Sequence, residues 1–467
     1  VAENFVRLLE AVARRAPDAP AVLWEGGLLT YRRLDRQANG FARFLSHQGV
    51  RAGERVALSI PNRWPFAVAL LGGLKLGVTV APLDPLLTAQ ERQVVLGDLR
   101  PRVIAHEVVG DEAEWDSAAA VDHPALILYT SGSTGVPKGA MLSHDALRAA
   151  VQAWAEPVMG LGPADVVLAA LPLSHSFGLN GALLAPLLTG AVAVLLERFA
   201  PDEAVAAIRR RQVTVFPGVA TMFRRVLDLP GLAPGDLGSL RLCVSGAAPC
   251  SWALAREWRA RTGVRILRGY GMTELFRPIS YRAADPTDLP EAIGRPVPGV
   301  EVCITDDDGR ALPAGAVGEL WIRSPSVMDG YLGAPEETTA VLAGGWFKTG
   351  DLAILRADGY VSIEGRKRER ILRGGYSVSP PEVEAVLHAH PAVAEAAVVG
   401  VPHTELGEEV VAFVALRPGA REDPQALVAW CRERLAGFKY PRRITIVDHL
   451  PRASTGKVLK SRLLGQT

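Results

Sequence analysis

The chain has 467 residues, 49% of them hydrophobic and 22% charged, with a formal net charge of +1. A length beyond one ordinary core implies two or more domains, and the composition excludes a disordered or fibrous chain. The near-zero charge removes nucleic acid from the expected partners, because nothing in the balance would draw a polyanion.

The opening residues, VAENFVRLLEAVARRAP, are amphipathic and contain acids, unlike a secretory leader. Starting on Val rather than Met, the chain leaves room for a true start upstream. AVLWEGGLLTY (21–31) predicts a hairpin closed at Gly26-Gly27. Thr30 then caps a helix in which Leu34, Phe41 and Leu45 share one face. Continuous apolar runs follow at 55–60, 78–83, 125–130, 166–171, 191–196, 213–218 and 241–246, separated by helical stretches such as PDEAVAAIRRRQ (201–212). Strands apolar on both faces and alternating with helices predict largely parallel sheets in an α/β layer fold. GALLAPLLTGAVAVLL (181–196) carries no charge, but its 16 residues fall short of the roughly 20 that a bilayer needs. Pro186 and Gly190 split it into a short helix and a strand of the core, so no integral membrane association is expected.

The character changes near Gly294. VEVCITDDDGRALPAGAVGELWIR (300–323) alternates and carries Asp-Gly and Ala-Gly turns, which predicts an antiparallel β subdomain. A hinge falls at Gly365–Arg368. Residues 1–365 then form the large N-terminal domain, and residues 366–467 a small α+β domain with its own strands, AAVVGV and VVAFVAL, and its own helix, DPQALVAWCRERLAG. The four cysteines, Cys243, Cys250, Cys303 and Cys431, form no CxxC pair, which predicts a reduced, cytoplasmic setting and no structural zinc.

YTSGSTGVPKGAMLSH (129–144) has the small residues, hydroxyls and lysine of a phosphate loop but fails the Walker pattern. Its Lys138 precedes the final glycine and no hydroxyl follows. The physics of anion binding survives, since backbone N–H groups can converge, hydroxyls donate and the lysine adds charge. On its own such a loop is more often an ordinary surface turn. RGYGMTEL (268–275) adds an aromatic face for a base, a hydroxyl for a phosphate and a carboxylate for magnesium, in Tyr270, Thr273 and Glu274. WFKTGDLA (346–353) offers Asp351 after Gly350, a carboxylate able to accept both hydroxyls of a ribose. PRASTGKVLKSRLL (451–464) places Lys457 on a Ser-Thr-Gly turn.

In this order the four stretches resemble the adenylate-forming superfamily: acyl-CoA synthetases, firefly luciferase and the adenylation domains of peptide synthetases. The resemblance runs from LTYRRLDRQANGFARFL to STGKVLKSRLL. It implies a two-step reaction, in which a carboxylate attacks the α-phosphate of ATP and a thiol, usually that of coenzyme A, then displaces AMP. It further implies that Ser131, Gly132, Ser133, Thr134, Gly135 and Lys138 hold the leaving pyrophosphate. Gly246, Ala247 and Ala248, with Tyr270 and Gly271, would flank the adenine, Thr273 would contact the α-phosphate and Glu274 the magnesium. Asp351, helped by Arg366, would take the ribose hydroxyls. Lys457 would stabilise the adenylation transition state electrostatically. Arg368 stands at the family's hinge, where the small, mobile domain swings. After the swing that domain would present Gly374, Gly375 and Tyr376 to the pantetheine arm.

The resemblance also bounds the substrate. His175 in LPLSHSFGLN (171–180) occupies the family position at the mouth of the acyl pocket. No acid occurs between Leu171 and Asn180, which speaks against an amino-acid substrate. Val219, Ala220, Met222, Met272, Leu275 and Phe276 give a mainly apolar floor suited to a fatty or aryl acid. Arg277 leaves two readings, a pocket cation for a second carboxylate or, as favoured, a surface salt-bridge residue. Segment 108–122 is shorter than in most members, which puts the packing of the first lobe in doubt. Two alternatives stand beside an acyl-CoA ligase: an acyl-AMP ligase that loads an acyl carrier protein, and a non-catalytic nucleotide- or acyl-binding relative.

Overall fold

The computed structural model describes residues 2–117, 120–130, 137–285, 288–374, 376–452 and 458–463. The chain divides into two compact units, Val1–Glu301 with Ile322–Phe347, and Val302–Trp321 with Lys348–Thr467.

Two sheets organise the first unit. The seven-stranded sheet runs in the order Ile266–Leu267, Leu242–Ser245, Val215–Gly218, Val166–Ala169, Val192–Leu195, Pro20–Trp24 and Gly27–Thr30. All its neighbours are parallel except the last pair. The six-stranded sheet runs Gly330–Tyr331, Lys138–Leu142, Leu126–Thr130, Thr79–Pro82, Arg55–Leu58 and Val103–Ala105, antiparallel in its first two pairings and parallel beyond. The seven apolar runs of the sequence are all found among these strands. Val167, Leu168, Ala169 and Ala193 are fully buried, as strands covered on both faces must be. Helix Tyr31–His47 starts where Thr30 accepts a hydrogen bond from Arg33 N–H, and Leu34, Phe41 and Leu45 are all buried. Its face packs on helix Trp64–Leu76, which apart from Lys75 is apolar on nearly every face and correspondingly buried.

The hairpin at 20–30 forms, with its turn one residue earlier than the sequence suggests. Trp24 pairs with Gly27, so Glu25-Gly26 makes the turn. The glycines are needed for another reason: a Cβ on Gly27 would sit 2.9 Å from the Trp24 indole. The apolar stretch 181–196 resolves into a π-helical turn running into helix Ala185–Thr189, then strand Val192–Leu195. Among the described residues no helix is long and apolar enough to cross a membrane.

The shortened segment is well packed where it is described. Ala113 is buried, its N–H donating to Arg36 O and its carbonyl accepting from Asn39. A Cβ on Gly40 would lie 2.0 Å from Asp111 O, so this strap closes directly on helix Tyr31–His47.

The second unit carries most of a sheet in which the strands Glu301–Thr305, Val317–Arg323, Trp346–Leu355 and Val361–Arg366 follow one another. A further sheet is built on the long antiparallel pair Val393–His403 and Gly407–Leu416, with Arg443–Ile446 parallel at one side. Helices Pro380–His388 and Pro424–Arg432 cover it, and Val383, Leu387, Val398, Val410, Val414 and Leu427 belong to its core.

Candidate active site

Four neighbouring strands of the seven-stranded sheet, Ile266–Leu267, Leu242–Ser245, Val215–Gly218 and Val166–Ala169, run parallel, so their C-terminal ends open on one edge. That edge is where ligands sit in parallel α/β sheets. The segments leaving it carry His175, then Val219 and Ala220, then Gly246, Ala247 and Ala248, then Tyr270 to Glu274. The predicted acyl and adenine residues of the first unit are thus gathered by topology alone. Ala247 takes φ 62°, a left-handed conformation uncommon for a residue with a Cβ. A Cβ on Gly246 would meet Phe177 at 3.0 Å and Arg277 Nη1 at 3.1 Å, so the loop needs glycine there. Val219 is buried at the start of helix Ala220–Leu227, while Met222 packs on the core that contains Phe216 and Phe223.

The GYGMTE motif folds as a tight hairpin. Met272 pairs with Phe276, leaving Thr273, Glu274 and Leu275 as the connection. A Cβ on Gly271 would lie 2.0 Å from Phe276 O, and Phe276 itself takes φ 55°. Leu275 is fully buried and Phe276 nearly so, which anchors the turn and leaves Thr273 and Glu274 at its tip.

Two residues that the sequence reading missed tie the six-stranded sheet to the predicted site residues. Asp84 follows strand Thr79–Pro82 of the six-stranded sheet, and its Oδ2 lies 3.0 Å from His175 Nε2. Its Oδ1 accepts the Leu86 N–H at 2.9 Å. A carboxylate can only accept, so His175 donates from Nε2. Tyr331, on the outer strand of the same sheet, donates its hydroxyl to Glu274 Oε1 at 2.8 Å. Burial, reinforced by the Glu274 charge, pushes the Tyr331 phenol well above its ordinary range and keeps it a donor. Lys138 Nζ lies over the same ring at 5.3 Å and 3.8 Å from Glu337. No short motif marks Asp84 or Tyr331. Their partners lie 91 and 57 residues away.

Arg277 is neither a surface residue nor, in its observed bonds, a free pocket cation. It is buried, donating to Ser245 O at 2.7 Å, Ser280 Oγ at 2.9 Å and Leu267 O at 3.2 Å, with its guanidinium 5.0 Å from the Trp154 ring. Burial pulls it down to about 9. The surface reading is therefore corrected: the space left by Gly246 and Gly269 admits the guanidinium beneath the strand ends.

Ser131 to Gly135, Gly375 and Lys457 lie outside the described residues. In the second unit Asp351 and Arg366 face each other across paired strands, Nε to Oδ1 at 3.2 Å, with Asp351 buried after Gly350 at φ 69°. Arg368 belongs to the turn Lys367–Glu369. Gly374 takes φ 60°, and Tyr376 is exposed and stacked on Phe438 at 4.6 Å.

The donor set can be tested against magnesium. Among the described residues no group of three His, Cys, Asp or Glu side chains is placed to hold a metal ion. Glu274 presents one carboxylate, with Oε1 tied to Tyr331. That fits magnesium, which keeps several waters and draws other ligands from substrate phosphates.

A family model described as AMP-binding enzyme matches residues 9–332, and another, the AMP-binding enzyme C-terminal domain, matches residues 382–457. The chain is 32% identical over 528 residues to the long-chain-fatty-acid–CoA ligase of Yersinia pestis, covering 98% of this chain and 94% of the relative. It is 35% identical over 504 residues to the fatty acid–[acyl-carrier-protein] ligase ScoC of Streptomyces coeruleorubidus, covering 99% and 96%. Among solved structures, ATP-bound MatB from Rhodopseudomonas palustris matches with a TM-score of 0.93 at 31% identity, over 99% of this chain and 98% of that one. The chain belongs to the AMP-binding enzyme family of adenylate-forming ligases.

Proposed function

We propose that this chain is an ATP-dependent acyl-CoA synthetase, an acid–thiol ligase acting on a fatty or aryl carboxylic acid. The observation that carries the reading is the convergence of the His175, Val219, Gly246 and Glu274 segments on one sheet edge. An acid is unreactive until one of its oxygens becomes a leaving group. The carboxylate oxygen attacks the α-phosphate, the bond to pyrophosphate breaks, and acyl-AMP forms. The coenzyme A sulfur then attacks the acyl carbon and AMP departs. Both steps depend on holding anions in line and screening them from one another.

In this reading Glu274 is the protein ligand for magnesium, which when bound supplies positive charge to the triphosphate. Ser131 to Gly135 and Lys138 hold the departing phosphates, Thr273 contacts the α-phosphate, and Gly246 to Ala248 with Tyr270 and Gly271 flank the adenine. Asp351 and Arg366 take the ribose, and Lys457 stabilises the charge that develops during adenylation. The small C-terminal domain, from residue 366, turns about Arg368 between the two steps and offers Gly374 and Gly375 to the thiol arm. The reaction runs in the cytoplasm, with no nucleic acid partner.

The test is a panel of carboxylic acids read by pyrophosphate release, with and without coenzyme A. Lys457→Ala is expected to abolish pyrophosphate release yet still convert supplied acyl-AMP and coenzyme A to thioester; full release by that variant overturns the assignment. The likeness to ScoC favours a second reading, transfer to an acyl carrier protein. Turnover with a carrier protein and none with coenzyme A selects it.

A further inference from the structure

We infer that Tyr331 is a positioning residue for adenylation, holding Glu274 and Lys138 as one unit at the phosphate end of the site. The inference rests on the reading above, in which both of those side chains serve the triphosphate.

Glu274 sits at the tip of a hairpin, where a carboxylate would ordinarily sample several rotamers. Its Oε1 accepts the Tyr331 hydroxyl at 2.8 Å, and Oε2 has no hydrogen-bond partner among the described residues. Fixing one oxygen aims the other. Lys138 begins the strand that follows the phosphate loop, and its ammonium lies over the Tyr331 ring at 5.3 Å. A cation held on an aromatic face keeps its charge while losing freedom of its stem. One side chain thus restrains an anion and a cation drawn from segments far apart in the chain.

Tyr331 is itself held firmly. Gly330 and Tyr331 pair antiparallel with Met141 and Ala140, and the Leu332 N–H donates to Gly139 O at 2.8 Å. On the other side the Met328 N–H donates to Glu274 O at 2.8 Å. The Tyr331 N–H donates to Thr338 Oγ1 at 2.9 Å. Gly330 takes φ 149°, and a Cβ there would meet Thr338 Cγ2 at 2.8 Å, so the segment needs glycine immediately before the tyrosine. The hydroxyl is the donor in this pair, because a carboxylate oxygen can only accept. A phenylalanine would fill the same space and leave Glu274 with both oxygens unanchored.

The experiment compares the wild type with Tyr331→Phe and Tyr331→Leu. For Tyr331→Phe, the magnesium concentration giving half-maximal pyrophosphate release rises about tenfold, a hydrogen bond to a charged group being lost. Calorimetric binding of ATP in the presence of magnesium weakens by a similar factor, while the KM for the acid is unchanged. Conversion of supplied acyl-AMP and coenzyme A to thioester proceeds at the wild-type rate. Tyr331→Leu weakens ATP binding further, since Lys138 loses its aromatic support. Unchanged magnesium dependence and ATP binding in folded Tyr331→Phe overturns the inference, and so does an equal loss in both half-reactions, the mark of a merely structural role. If the wild type activates no acid in the panel, the reading of function fails, and the calorimetric comparison still decides the role of Tyr331.

Discussion

Asp84 Oδ2 lies 3.0 Å from His175 Nε2, and this pair joins the loop after strand Thr79–Pro82 of the six-stranded sheet to the segment after strand Val166–Ala169 of the seven-stranded one. Asn62 spans the same gap nearby, accepting from the Leu173 N–H at 2.8 Å and donating to Leu171 O at 2.6 Å. The segment expected at the mouth of the acyl pocket is therefore held from outside its own sheet.

A first prediction follows for Asp84→Asn. The amide keeps the size of the side chain but removes the charge that orients the imidazole. Replacing a charge-assisted hydrogen bond by a neutral one costs about 1–1.5 kcal/mol, and a less firmly placed His175 should raise the KM for the acid by about tenfold. The KM for ATP should stay near its wild-type value, because the Glu274 hairpin has its own anchors in Leu275, Phe276 and Tyr331. Steady-state kinetics with each substrate varied in turn checks this. Equal increases in both KM values would show that Asp84 serves the fold at large.

A second concerns the helices under the first sheet. Lys75 is 2% exposed, with Nζ 2.6 Å from Glu10 Oε1 and 2.8 Å from Asp35 Oδ1, and Ser117 donates to the same Glu10 oxygen at 2.5 Å. Burial raises the Glu10 carboxyl, but Lys75 and Ser117 together outweigh it and hold the group below its ordinary range. Removing one partner from a buried ion pair typically costs about 3–5 kcal/mol, because the remaining charge is left uncompensated. Lys75→Met should lower the urea midpoint accordingly, and the double variant with Glu10→Leu should recover much of the loss. A Lys75→Met stability within about 1 kcal/mol of wild type would mean that water reaches the acids.

The strands are legible in the sequence because Val, Ala and Leu runs buried on both faces announce themselves locally, and the Thr30 cap does so for the same reason. The hairpin turn falls one residue from its expected place because Gly26 and Gly27 read as turn residues, whereas the Trp24 indole lies against them and demands the missing Cβ. Arg277 reads as a surface residue because charge usually means solvent, and the cavity that admits it is created by Gly246 and Gly269, which no pattern in the sequence connects with it. The site motifs single out Glu274 and His175 as candidates. Their partners Tyr331 and Asp84 stay invisible, since a lone tyrosine or aspartate has no signature until the topology brings it across the gap between two sheets.

The last residue of YTSGSTGVPKGAMLSH supplies a prediction about pH. His144 is fully buried at the start of helix His144–Ala153, its Nδ1 accepting the Phe5 N–H at 3.1 Å, with no hydrogen-bond partner for Nε2 among the described residues. Burial, with lesser contributions from His123 and Arg148, lowers it from 6.5 to about 4. The folded protein therefore keeps this ring neutral where the unfolded chain takes up a proton. Between those two values the unfolded state binds more protons, so stability falls as the pH falls, by about 1.4 kcal/mol per unit where the difference is complete. At pH 5 the loss attributable to His144 is about 2 kcal/mol relative to pH 8. His144→Asn offers an acceptor in place of Nδ1 but nothing that titrates. Urea unfolding at pH 8 and pH 5 should show the wild type losing about 2 kcal/mol more than the variant. Parallel losses in the two proteins would mean that the ring is protonated within the fold, or that another group carries the acid sensitivity.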